Sequence, residues 1–343
     1  MHFAFSEDQE LFRASFKEVC ERACDPGRVR QAWEAAEPAD NALWKQLGEL
    51  GVLGMTLSEQ AGGLGMNELD WVLILEEAGK SGLPEPLGAH TAVALPLLEE
   101  LGSDALKAEW LPRAAAGDAR IGAVFQGSPF VAFASSFELL LVQRGTSLYA
   151  VPAKDCAWEA QASLDYSRQL AKLGVEMSQE RLLAADASEA LDRALNRAVL
   201  AQSAELLGTC QRMLDLTVDY VKVRHQFGKP IGSYQAVKHR LADGLLRLEF
   251  AKPLAYRAAH SLSEGLSGPN VDAQVSMARL YARDAAEFMA KAALQLHGAI
   301  GYTFEYDLQL WMKRAWATGR TLHSDAWHRE RVANVAFAGL SAS

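Results

Sequence analysis

The residues with the clearest chemical potential lie in Arg224-His225-Gln226-Phe227-Gly228-Lys229-Pro230-Ile231-Gly232-Ser233-Tyr234-Gln235. Gly-Lys-Pro and Gly-Ser interrupt two long amphipathic runs here and leave a guanidinium and two carboxamides at the corner. An arginine fork beside free backbone N–H groups at a helix junction suits a pyrophosphate. The same residues suit a plain helix end, with Arg224 serving the C-terminal dipole and a new helix following. A second cluster is Gln295-Leu296-His297-Gly298-Ala299-Ile300-Gly301-Tyr302-Thr303. Its glycines break a helix, free the amides of the next turn and let a backbone approach a flat or phosphorylated ligand closely. His297 stands on an apolar turn, where a satisfied core histidine is the first reading. A third glycine-rich stretch, Ser58–Gly65, fails as a phosphate loop. No strand precedes it and no Lys-Ser/Thr follows, so it reads as a tight loop between helices.

Three kinds of chain must position these residues, and the texture changes near residues 118 and 186. Residues 1–118 read as a helical N-terminal domain. Ser6 and Gln9 make a capping box, Leu11, Phe12, Phe16, Val19 and Cys20 keep one apolar face, and Asp25-Pro26-Gly27 stops that helix. Further helices are predicted near Ala42–Leu50 and through Leu69–Ala78. Residues 119–186 read as a small, shortened β domain. Ile121–Phe125, Leu139–Gln143 and Ser147–Val151 are strands, Gly145-Thr146 is a turn, and Gln161–Glu176 adds strand around the polar corner Leu164-Asp165-Tyr166-Ser167-Arg168. Residues 187–343 carry long helical runs at Leu191–Val223, Gln235–Ser263, Asn270–Gln295 and Tyr302–Thr318, with a last one from about Ser324. Short turns between such helices predict an antiparallel bundle.

Composition bounds the partners. With 34 Lys+Arg against 43 Asp+Glu in 343 residues, the net charge of −9 argues against nucleic acid as a partner. No apolar run reaches the roughly 20 residues of a membrane span, and the N-terminus has no basic signal-peptide region. Cys20, Cys24, Cys156 and Cys210 read as packed thiols, no metal site is expected, and a reducing cytoplasm is the simplest setting.

Together, the two polar clusters resemble the signatures of the acyl-CoA dehydrogenase family. Arg224, Phe227, Gly228, Ile231, Gln235 and Leu241–Asp243 look like the family's Arg-x-x-Phe-Gly segment and its following Leu-Ala-Asp. Gln295, Gly298 and Gly301 look like its second glycine signature, with Ala299 where glycine usually repeats. Glu59, Gly62, Gly63 and Gly65 resemble its N-terminal Pro-Glu-x-x-Gly-Gly-x-Gly, with Ser58 in the place of proline. The resemblance implies a mainly α fold: an N-terminal helical domain, a small middle β-barrel and a C-terminal four-helix bundle that forms a dimer interface. It implies FAD between barrel and bundle. Arg224, Gln226 and Phe227 would approach the pyrophosphate and ring; Gln295, Gly298 and Gly301 would receive the adenosine–pyrophosphate end of the partner's FAD. The implied reaction is α,β-dehydrogenation of an acyl-CoA substrate, with electron-transfer flavoprotein or a similar acceptor downstream.

Two departures qualify the chemistry. The family's glutamate base, counted from Gly298, falls on Leu322; its alternative position, counted from Arg224 with Gly208 in register, falls on Ala198. Neither accepts a proton, and Asp325, Glu205, Glu189 and Asp192 are the neighbouring carboxylates. Where the family carries Thr-Glu-Pro against the flavin ring, this chain reads Val124-Phe125-Gln126-Gly127-Ser128-Pro129. Leu164–Arg168 is similar to a stretch in a short subgroup linked to bacterial breakdown of steroid side chains and related CoA esters. That subgroup often pairs two unlike chains as α2β2, one of them lacking catalytic groups. The resemblance and these departures together suggest a subunit of a homo- or hetero-oligomeric dehydrogenase, the base-deficient one in the hetero-oligomeric case; the alternative is a scaffold or binding protein that kept the fold without the chemistry.

Overall fold

The computed structural model describes residues 4–34, 41–127 and 130–338; Ser128 and Pro129 lie outside the described residues. The chain divides into two compact units, one holding residues up to Ile74 with Pro84–Ala201, the other Leu75–Leu83 with everything from Gln202 onward.

The first unit opens with α1 (Glu7–Ala23), where Ser6 and Gln9 form the expected capping box and Phe16 and Cys20 are buried. Asp25-Pro26-Gly27 both ends α1 and begins α2 (Pro26–Glu34). Proline at the first helical position sacrifices an N–H that has no partner there anyway, so a stop signal doubles as a start. Next come α3 (Asn41–Glu49), α4 (Glu68–Ser81, of which Leu75 onward belongs to the second unit), α5 (Leu95–Leu101) and α6 (Asp104–Ala115). Between α3 and α4, Ser58–Gly65 is a tight loop: Ser58 Oγ accepts from Ala61 N, Gly63 N donates to Ser58 O, and Gly62 sits at φ 83°. A wide helical turn at Gly88–Ala94 carries fully buried His90, whose Nδ1 accepts from Ile121 N at 2.9 Å. Beside it, buried Arg120 pairs with Glu85 at 3.2 Å and lies over the Trp44 ring.

The β region follows as β1 (Ile121–Val124), β2 (Phe130–Val131), β3 (Leu139–Arg144), β4 (Ser147–Pro152), β5 (Ala157–Ala160), β6 (Ala171–Gly174) and β7 (Leu182–Ala184). One sheet runs β1-β3-β4-β7, with β1 parallel to β3 and the other pairs antiparallel; the second runs β2-β6-β5. Val131, Phe137, Leu140, Val142 and Val151 share an apolar core between them. The polar corner Leu164–Arg168 is a clasp. Fully buried Asp165 accepts from Trp33 Nε1 of α2 at 3.0 Å, from Ser167 N at 3.2 Å and from Ser167 Oγ at 2.5 Å. Asp165→Ala removes the acceptor and strands those donors, and is expected to cost about 2 kcal/mol in urea unfolding. Wild-type stability of that variant would mean the clasp contributes nothing.

Helix α7 (Ser188–Val223) belongs to the second unit from Gln202 onward and leads through a hairpin of β8 (His225–Gln226) and β9 (Lys229–Pro230) into α8 (Gln235–Ser263), whose bounds are those of the amphipathic run. After α8 come α9 (Pro269–His297), α10 (Leu308–Thr318) and α11 (Asp325–Ala336), capped by Ser324 Oγ accepting from Trp327 N. Helices α8 and α9 are antiparallel, with Ser261 bonded to Gln274 near the turn and Arg247 paired with Asp284 further along. Helix α10 begins later than the expected Tyr302, because Gly298–Tyr302 forms a tight helical turn closed by Thr303 Oγ1 on Ile300 O. No helix among the described residues is long and apolar enough to cross a membrane.

Candidate functional site

The segment after α7 is an exposed hairpin. Phe227 (φ 54°) and Gly228 (φ 81°) both adopt left-handed backbone, which a two-residue turn between β8 and β9 requires. Ile231 N donates to Arg224 O at 2.8 Å, and Tyr234 Oη donates to Gln226 O at 3.2 Å, so the hairpin is tied back at its base. Arg224 and Gln226 are exposed, and the Arg224 guanidinium has no ion-pair partner among the described residues. The Phe227 ring is 91% exposed, an unusual place for so large an apolar surface in a free chain. Gln235 is the exposed first residue of α8.

At the end of α9, Gln295 is exposed and Gly298 adopts φ 65°, ψ −144°, a conformation open to glycine almost alone. A Cβ on Gly298 would meet nothing within 4 Å, and the same holds for Gly228, so both backbones face open space. Gly301 is buried, with a Cβ position 3.0 Å from His297 Cβ. His297 is a buried core histidine, as its setting predicts. Its Nδ1 lies 2.8 Å from Ala293 O, and burial holds its pKa below the ordinary value.

Both polar clusters occur at one end of this unit. Tyr220, one turn before Arg224, stacks on His297 with centroids 4.3 Å apart, and its Oη donates to His297 O at 3.3 Å. Tyr306 packs against both rings. Tyr220 and Tyr306 did not stand out in the sequence. The available signal was the i, i+4 spacing of Tyr220 and Arg224, which puts them on one helix face. Open glycine backbones, exposed carboxamides and a guanidinium unpaired among the described residues are donors of the kind a phosphate group takes.

The positions counted for a base are aliphatic in the fold as in the sequence. Ala198 is buried on α7. Leu322 (φ 54°) and His323 (φ 74°) are consecutive non-glycine residues in left-handed conformation. Arg279 Nη2 donates to Thr318 O and Thr321 O, and His328 Nε2 lies 2.9 Å from Leu322 O, so this corner is held from several sides. Of the neighbouring carboxylates, Asp325 is paired with Arg283, and Glu189 and Asp192 are exposed. Glu205 is half-buried and its carbonyl lies against Gly79. In the β region, Gln126 is already engaged: its N donates to Gln143 Oε1 at 3.0 Å and its Oε1 accepts from Gly145 N.

Residues 191–337 match the acyl-CoA dehydrogenase C-terminal domain and residues 6–118 the acyl-CoA dehydrogenase N-terminal domain. The chain is similar to acyl-CoA dehydrogenase IpdE2 of Mycolicibacterium smegmatis, 32% identical over 92% of this chain and 95% of that one. Its fold is similar to a chain of the ChsE4–ChsE5 complex from Mycobacterium tuberculosis, with TM-score 0.87, 23% identity, and 98% and 99% of the two chains covered. It is also similar in fold to a Mycobacterium smegmatis glutaryl-CoA dehydrogenase in complex with FADH2, with TM-score 0.85, 20% identity, and 97% and 95% covered.

Proposed function

Because the chain belongs to the acyl-CoA dehydrogenase family, we propose that it is a FAD-binding subunit of an enzyme that desaturates an acyl-CoA thioester at the α,β position. The observation that supports this reading is the contact of Tyr220, four residues before Arg224, with His297, which lies between Gln295 and Gly298 in the chain. FAD, when bound, supplies the hydride acceptor. Arg224, Gln226, Phe227, Gly228 and Gln235 hold its pyrophosphate and ring side, and Gln295, Gly298 and Gly301 its adenosine–pyrophosphate end. The Arg224 guanidinium offers a charged fork, and the Gly298 backbone leaves room for a phosphate to approach.

The catalytic base comes from elsewhere. Leu322 and Ala198 cannot accept an α proton, and Gln126 is committed to the turn between β3 and β4. A heteromer whose other chain supplies the glutamate accommodates all three facts, and the ChsE4–ChsE5 complex offers a precedent for pairing two chains on this fold. Helix α8 offers a surface for such a partner: Leu245, Leu246 and Phe250 are exposed, which a free helix face rarely tolerates. Reduced flavin would pass electrons to an electron-transferring flavoprotein or a similar acceptor. The division into residues 1–118, 119–186 and 187–343 belongs to the same proposal, with the acyl group either a compact chain or a steroid side chain.

FAD stoichiometry is the direct test. About one FAD per chain in protein purified alone supports a homo-oligomer, and little flavin alone that rises to about one per heterodimer with a co-expressed relative supports the base-deficient half. No flavin in either preparation supports the second reading, a scaffold, which the aliphatic Leu322 and Ala198 favour. Arg224→Ala is expected to weaken FAD binding roughly 10- to 100-fold, the value of one charge-assisted hydrogen bond, with far-UV circular dichroism unchanged. Unaltered flavin content in that variant would remove Arg224 from the site.

A further inference from the structure

Arg224 directly follows α7 and Gln295 lies in the last turn of α9, and helix ends are where intrahelical hydrogen bonding runs out. Two such ends receive one rigid ligand only if something fixes their mutual register. Tyr220 is placed to do so. Its ring lies flat on the His297 imidazole at 4.3 Å and 22°, and its hydroxyl donates to the His297 carbonyl at 3.3 Å. The peptide plane it grips is the one that enters Gly298, whose N–H donates back to Leu294 O.

The imidazole is held as firmly. Nδ1 faces the Ala293 carbonyl at 2.8 Å and so carries the ring proton of the neutral form. Nε2 is then an acceptor, buried and without a hydrogen-bond partner among the described residues. Tyr306 closes the cluster, 4.9 Å from His297 and 5.8 Å from Tyr220. A buried acceptor without a donor is a feature a fold sheds unless its setting has another use. Here the stacked ring and the gripped carbonyl fix the backbone that leads into the open Gly298–Tyr302 turn.

Resting on the flavin reading above, we propose that Tyr220 is a positioning residue for FAD: through His297 it holds the Gly298–Gly301 turn in register with Arg224, so that the adenosine–pyrophosphate end meets one preformed surface. Tyr220 touches no nucleotide atom in this role. Its hydroxyl sets the carbonyl and its ring sets the imidazole, and Tyr306 backs both.

The test compares FAD dissociation constants, from quenching of flavin fluorescence, with the melting temperature of flavin-free protein, in the assembly the chain purifies in. Tyr220→Phe keeps the stack and loses the hydroxyl; it is expected to weaken FAD about 5-fold with little change in melting temperature. Tyr220→Leu loses both contacts and is expected to weaken FAD about 100-fold. A purely structural Tyr220 would lower the melting temperature and leave the dissociation constant of the folded protein alone, and that result overturns the proposal. Arg224→Ala separates the two levels. If Arg224→Ala weakens FAD while both Tyr220 variants bind as wild type, only the positioning role fails. If the wild type binds no FAD in any assembly, the flavin reading fails and the positioning role with it.

Discussion

Gly208→Ala is expected to destabilise the second unit by about 3 kcal/mol or more, at the upper end of what overpacking costs. Gly208 lies within α7 at the point where α4 crosses it. A Cβ there would collide with the Glu76 carbonyl oxygen and fall 2.6 Å from Lys80 N, both on α4. The contact is reciprocal: a Cβ on Gly79 would collide with the Glu205 carbonyl and come within 2.7 Å of its carbon. Every obstacle is main chain. A flexible side chain could turn aside, but two helices held by their own hydrogen bonds must separate along their whole contact. Separation would also stretch the bond from Thr209 Oγ1 to Gly79 O, already 3.4 Å, and the bond from Tyr256 Oη to Glu76 Oε2 at 2.7 Å. Urea midpoints for Gly208→Ala, Gly79→Ala and the pair measure this. The double variant should cost less than the sum, because one separation accommodates both methyl groups. A Gly208→Ala midpoint equal to wild type would contradict the backbone-to-backbone crossing.

That crossing marks the limit of what the sequence discloses. Apolar periodicity places α8 at Gln235–Ser263 and Ser324 ahead of the last helix, because those signals are local. Gly208 reads only as a weak helix residue, since its reason lies in α4, far away in the chain. The same holds for Asp165, a polar corner in sequence and a clasp on Trp33 in the fold. Helix α2 hides behind a proline that signals both stop and start, and the short strands β2, β5 and β7 are too brief for alternation to register. At the candidate site, Arg224, Gln295 and Gly298 are legible because charge and glycine are rare within helical runs. Tyr220 and Tyr306 are not, because a tyrosine on an amphipathic helix looks like any other core edge until the partner helix is known.

Acid is expected to weaken the protein before most of its carboxylates titrate. Burial pushes the His90 pKa down from 6.5 to about 4, with the Arg120 charge a lesser cause, and burial likewise pushes His328 down to about 4. His297 and His323 are shifted in the same direction, also by burial. At His90 and His328 the unfolded chain takes up its proton near pH 6.5 while the folded chain refuses it until about pH 4. Stability is therefore undiminished above pH 6.5, falls as pH drops through the interval below it, and levels off near pH 4. A shift of this size corresponds to about 3 kcal/mol for His90 and a smaller share for His328. The sum is a large part of the 5–15 kcal/mol that holds a typical domain together. Carboxylates act in a lower window: hydrogen bonds from Ser188 and Lys291 hold Asp186 and Glu287 below the usual carboxylate range, so their contribution is present above about pH 4 and is lost as pH falls below it. Urea unfolding between pH 4.5 and 7.5 isolates the histidine interval. His328→Asn should flatten its share of the slope while loosening the Leu322 corner, because the carbonyl it serves loses its donor. A free energy independent of pH across that interval would mean that His90 and His328 are solvated in the folded chain, against their packing.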